Sequence, residues 1–111
     1  MVEGHAFDIE KMKIAVQRGR FEWRMHVLIQ LLQRNITQKS VLHVLLSGEA
    51  IEHYPSSKPY PSSLFLGRVS SAPVHVVVAF NEEERYAYIV TAYEPDEEHF
   101  ESDFKIRKRK K

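Results

Sequence analysis

With 111 residues, 43% of them hydrophobic and 28% charged, the chain has the size of one domain with a single core and the composition of a globular protein. It contains no cysteine, which excludes disulfides, thiolate metal sites and thiol nucleophiles, and no run of about 18 apolar residues that could span a bilayer. Its net charge of +1 hides an asymmetry: residues 1–48 sum to +3, residues 49–104 to −8 and residues 105–111 to +6, so two basic ends that attract phosphate flank an acidic middle that repels it.

The opening Met-Val-Glu-Gly-His has neither the basic start nor the apolar segment of a secretory signal, and the expectation is a cytoplasmic protein without membrane contact. In residues 8–18, Ile9, Met12 and Val16 fall on one helix face, with Asp8 as N-cap and Gly19 just past the end. Arg20 to Trp23 reads as a short extended connection. A second helix follows through Met25 to Arg34, with Val27, Leu28, Ile29, Leu31 and Leu32 on its apolar side and His26, Gln30, Gln33 and Arg34 in a polar stripe opposite. Asn35 ends it, and Thr37 caps a third helix, Gln38 to Ser47, whose Val41, Leu42, Val44, Leu45 and Leu46 form a broad apolar face before Gly48 terminates it.

From Glu49 the character changes. Ala50 to Tyr54 reads as an edge strand, and Pro55, Pro59 and Pro61 with four serines make a loop that carries Lys58 and Tyr60. Leu64 to Val69, Val74 to Phe80 and Tyr86 to Glu94 are rich in β-branched and aromatic residues and joined by short polar turns, so they read as antiparallel neighbours. Pairing 69 with 74 and 80 with 86 sets Arg68 opposite His75 and His75 opposite Thr91, with Tyr93 one diagonal step away. One face then holds Phe65, Val69, Val74, Val76, Val78, Phe80, Tyr86, Tyr88 and Val90 and takes the helices; the barer face holds Leu66, Val77, Ala79, Ala87 and Ile89 with Arg68, His75, Thr91 and Tyr93. Asp96 to Phe104 reads as a helical turn and 105–111 as a basic tail on a single domain over 1–104. The expected architecture is α+β, with N-terminal helices packed on one face of a mainly antiparallel sheet of three to four strands.

Arg and His on neighbouring strands suit phosphodiester chemistry, since imidazole moves a proton near neutral pH and guanidinium holds phosphate. In RNA, a base removes the 2′-hydroxyl proton, that oxygen attacks the adjacent phosphorus and an acid protonates the leaving 5′ oxygen, with no metal or other cofactor required. The alternative is structural: a histidine on a half-apolar strand that only satisfies hydrogen bonds, and an Arg68 that pairs with an acidic neighbour. The six histidines show no His-x-x-x-His spacing, and there is neither a glycine-rich phosphate loop nor a nucleophile elbow.

Several stretches taken together, His26 with Arg34, Ser47-Gly48-Glu49-Ala50-Ile51-Glu52-His53-Tyr54-Pro55, Lys58-Pro59-Tyr60-Pro61-Ser62, Leu66-Gly67-Arg68, Pro73-Val74-His75-Val76-Val77-Val78 and Val90-Thr91-Ala92-Tyr93-Glu94-Pro95, resemble a family of small bacterial proteins known only as a domain of unknown function. The resemblance covers about residues 8–105. It implies a fold akin to the RelE/ParE-like toxins and, more remotely, the barnase-like ribonucleases, and pairing with a zinc-finger or helix-turn-helix protein of antitoxin type. The family's recurrent positions match His26, Arg34, His75, Thr91 and Tyr93, with Asn35 where a glycine is usual. The resulting expectation is a metal-independent endoribonuclease toxin. Its site residues are His75, Arg68, His26, Arg34, Thr91 and Tyr93, and Tyr60 and Lys58 hold RNA. The alternative is a non-catalytic module that keeps the fold and binds a protein at a sheet edge or groove.

Overall fold

The computed structural model describes residues 5–108. The first four residues, read above for a signal segment, and the last three of the basic tail lie outside the described residues. The chain runs α1 (Ile9–Gln17), β1 (Phe21–Trp23), α2 (Met25–Arg34), α3 (Gln38–Ser47), β2 (Glu49–Tyr54), β3 (Ser62–Val69), β4 (Ala72–Asn81) and β5 (Tyr86–Tyr93). The architecture is α+β with a mixed five-stranded sheet in the order β1-β5-β4-β3-β2. The strand count exceeds the expected three to four because Phe21–Trp23 is not a mere connection: it lies parallel to β5, with Phe21 beside Ala87 and Trp23 beside Ile89.

Local chemistry sets the helix ends. The Asp8 carboxylate accepts from the Lys11 amide and Thr37 Oγ1 from the Ser40 amide, so both N-caps act as expected. Asn35 ends α2 in the left-handed region at φ 57°, one of the few conformations a non-glycine residue holds there readily. Gly48 differs from expectation. Its φ of −82° needs no glycine, but a Cβ there would stand 2.5 Å from the Val44 carbonyl oxygen and 2.6 Å from that of Leu66. Space, not handedness, requires glycine where α3 turns directly into β2.

The helices cover one sheet face, and Met12, Val16, Val27, Val41, Val44 and Leu45 meet Phe65, Val76, Val78, Phe80, Ala87 and Ile89 in a continuous core. Two register findings correct the expected pairings, and the second also changes faces. Arg68 pairs with Pro73, and His75 lies opposite Leu66 and Tyr93, not opposite Arg68 and Thr91. The tight turn at Ser70–Ser71, both at positive φ, closes β3 onto β4 two residues sooner than the assumed pairing. In β5, Asn81 pairs with Tyr86, so Ala87 and Ile89 enter the core while Tyr86 and Tyr88 fall on the other face, the reverse of expectation. A bulge then intervenes: Val78 pairs with Ile89 but Val77 with Thr91, which leaves Val90 as the extra residue. That one residue returns Thr91 and Tyr93 to the face that carries His75.

Of the helical turn expected over Asp96 to Phe104, one i→i+4 bond forms, from the Phe100 amide to the Asp96 carbonyl at 3.1 Å, and no helix extends beyond it. Residues 96–108 fold as successive turns closed on themselves by a bridge between Phe100 and Arg107, and they lie over the barer face. The basic end over 105–108 is docked: Lys105 pairs with Glu49 at 2.9 Å and Arg107 with Glu52 at 2.8 Å.

Candidate functional site

Beyond Trp23 the parallel partner of β5 ends, and α2 takes its place along that edge. The Arg24 amide still donates to the Ile89 carbonyl, after which the side chains of the α2 polar stripe take over. His26 Nε2–H donates to the Val90 carbonyl at 3.1 Å, Thr91 Oγ1 bonds Gln30 Oε1 at 3.0 Å, and Arg34 Nη1 donates to the Ala92 carbonyl at 2.7 Å. Residues 26, 30 and 34 are spaced by four, one above the other on a helix, and so meet three consecutive residues of the strand edge. The bulge at Val90 is what turns Thr91 toward Gln30.

The row continues inward through Tyr93, whose hydroxyl donates to His75 Nδ1 at 3.3 Å. His75 is fully buried, its Nε2–H donating to the Phe104 carbonyl at 2.7 Å and its ring lying edge-on to Phe100 at 4.6 Å. Burial pushes its pKa below the ordinary value of 6.5, more than the Phe104 carbonyl and the Glu52 charge raise it. Glu52 lies under the same cover. Burial alone would raise its carboxyl, but bonds from Arg107 and the Tyr54 hydroxyl, with the Arg107 charge, bring it below 4.5. Burial raises the Tyr93 hydroxyl above its ordinary value of 10, against the lowering effect of Arg107. Among the described residues no buried side-chain nitrogen or oxygen lacks a partner.

Of the expected site residues, His26, Arg34, Thr91, Tyr93 and His75 are joined in one run. The polar stripe of α2, which a helix behind the sheet would have kept away, belongs to it because α2 flanks the edge. Arg68 stands apart. It is exposed near the end of β3, donating to the Ser71 carbonyl at 3.4 Å and lying 5.9 Å over the Phe104 ring. Lys58 is exposed on the proline-rich loop, and no hydrogen bond or ion pair among the described residues joins it to the run. Tyr60 stacks on Tyr88 at 5.3 Å, with the Arg24 guanidinium 5.0 Å from the same ring, so it shares the face but sits beyond the bulge.

Glu52, Tyr54, Phe100, Phe104 and Arg107 were not expected at the site. A signal existed for Glu52, an acid inside a strand with half-buried neighbours. For the C-terminal groups there was none, since nothing in their order says which face they fold over.

Among protein families, residues 23–94 match the one described as Domain of unknown function (DUF4258). No curated protein matches the chain, and no solved structure does. Among the described residues, no helix is long and apolar enough to cross a membrane.

Proposed function

We propose, for this chain, which belongs to the family of domains of unknown function DUF4258, the activity of a toxin-like, metal-independent endoribonuclease of RelE/ParE-like fold, with its site along the edge of β5 that α2 flanks. The observation that supports this most is the row of bonds that ties His26, Gln30 and Arg34 to residues 90–92 and, through Tyr93, leads to His75. Two imidazoles flank a stretch that bears a guanidinium and two hydroxyls. From Val90 to Tyr93 a strand rises about 10 Å, a span that accommodates one phosphodiester between a base and an acid.

His26 is exposed, and because its Nε2 donates to a carbonyl, its Nδ1 is the free lone pair. It takes the proton of the 2′-hydroxyl while the 2′ oxygen attacks phosphorus. The P–O5′ bond breaks, and His75, protonated once it is uncovered, gives its proton to the departing 5′ oxygen, leaving a 2′,3′-cyclic phosphate and a 5′-hydroxyl. Arg34 offsets the charge that gathers on the phosphate, and Thr91 and Tyr93 hydrogen-bond its oxygens. Tyr60, half-exposed in its stack on Tyr88, offers a ring to a base. Arg68 and Lys58 supply only long-range attraction.

End-labelled single-stranded RNA, incubated with the pure protein and a chelator, tests this reading. Cleavage to cyclic phosphate ends is expected, reduced about 100-fold or more in His26→Ala and in His75→Ala. RNA left intact by wild type and variants alike, with no growth defect on expression, removes the activity.

A second reading draws on a different observation. Met25 is 78% exposed, Ile29 53% and Leu32 86%, so α2 presents an apolar stripe on the side away from the site. Such a stripe suits a partner protein of antitoxin type, of zinc-finger or helix-turn-helix construction, and the fold without any chemistry would serve that binding alone.

A further inference from the structure

The matched domain ends at Glu94, and the segment that follows is what seals His75. Its backbone bonds are nearly self-contained: Phe100 N to Asp96 O, Glu101 N to Ile106 O, Phe104 N to Glu101 O and Lys108 N to His99 O. No main-chain ladder joins it to the sheet. What attaches it is the Phe104 carbonyl on His75, the Phe100 ring against the same imidazole, the Phe104 ring under the Arg68 guanidinium, the Lys105–Glu49 pair and the two bonds from Arg107 to Glu52 at 2.8 and 3.1 Å. Lifting such a unit breaks side-chain contacts and no sheet hydrogen bond, and both ion pairs reach solvent, where salt and competing charge weaken them.

In the closed arrangement both His75 nitrogens are engaged and the ring is fully buried. A proton donor in that state reaches nothing. We propose that residues 96–108 are a built-in lid over the His75–Tyr93 site, latched by Lys105 on Glu49 and Arg107 on Glu52, which lifts as one unit to free the imidazole. The lid regulates the site of the ribonuclease reading and rests on it for its purpose, but the motion itself is measurable without any RNA.

Histidine acylation by diethyl pyrocarbonate, mapped by peptide mass spectrometry on the full chain, measures it. In wild type His75 reacts slowly while exposed His99 reacts freely. In Lys105→Gln/Arg107→Gln the His75 rate rises about tenfold, the change that about 1.4 kcal/mol of lost latching gives, and His99 is unaffected. An unchanged His75 rate in a folded double variant overturns the lid. Should that variant lose its fold, a second comparison decides. The chain has no cysteine, so Glu49→Cys/Lys105→Cys joined by a bismaleimide is set against the same protein capped with N-ethylmaleimide. The joined form stays protected in about 0.5 M salt where the capped form opens; equal rates in the two overturn the proposal. An opened variant that exposes His75 yet cuts no RNA leaves the lid standing and removes the ribonuclease.

Discussion

The two faces of the sheet are covered by different means. On the helical face, Val76, Val78, Phe80, Ala87 and Ile89 are fully buried against helices whose own apolar residues have no other place to go. On the other face, His75 and Leu66 are covered by a segment held through one carbonyl, two aromatic rings and two ion pairs. Apolar burial is non-directional and makes one cooperative unit. A cover latched by polar contacts opens at a cost set by those few contacts, because carboxylates and ammonium groups recover water when they part.

The sharpest way to break this comparison is a matched pair of truncations. Phe80→Ala in the core is expected to lower unfolding free energy by about 3–5 kcal/mol, read from denaturant midpoints. Phe100→Ala, although Phe100 is equally hidden at 3% exposure, is expected to cost far less, since its loss is capped by the free energy of opening the lid. Equal costs would mean that both covers belong to one cooperative core.

Acid distinguishes the faces next. His75 has a folded pKa below 6.5, so the unfolded chain binds the proton first. The stability its neutral form confers is present above pH 6.5 and is lost as pH falls below that value, at up to about 1.4 kcal/mol per pH unit. Glu52 is also depressed, below 4.5, so its contribution is lost on further acidification. Denaturant midpoints are expected to decline in these two successive windows, and His75→Gln to flatten the upper one. A profile through the upper window that is the same in wild type and His75→Gln would place the titration elsewhere.

The smallest expected effect tests the edge on which the site is built. Thr91→Val keeps the shape but removes the bond to Gln30, at a cost of about 0.5–1.5 kcal/mol in denaturant midpoints and with faster amide exchange in the last turn of α2. An unchanged α2 would show that Val27 and Leu31, with the His26 and Arg34 bonds to the strand, hold the helix without Thr91.

Much of this was legible in the residue order. The caps at Asp8 and Thr37, the end of α2 at Asn35 and the spacing of His26, Gln30 and Arg34 are local, and local rules find them. The faces of β5 were misread because alternation has a period of two, and the hairpin pairs 81 with 86, one residue off the assumed register, which turned Tyr86 and Tyr88 outward. The bulge at Val90 carries no compositional mark, yet it decides that Thr91 and Tyr93 share a face with His75.

By itself, then, the sequence determined the three helices, the strand-rich second half and the residue types that gather at the site, because capping, periodicity and β-propensity act over a few neighbours. Tertiary structure alone decided that α2 flanks the β5 edge, that Arg68 stays out while Glu52 and Arg107 come in, and that the chain's last described turns close over His75. Those outcomes depend on pairings between residues tens of positions apart, and only the folded chain brings such residues within reach of one another.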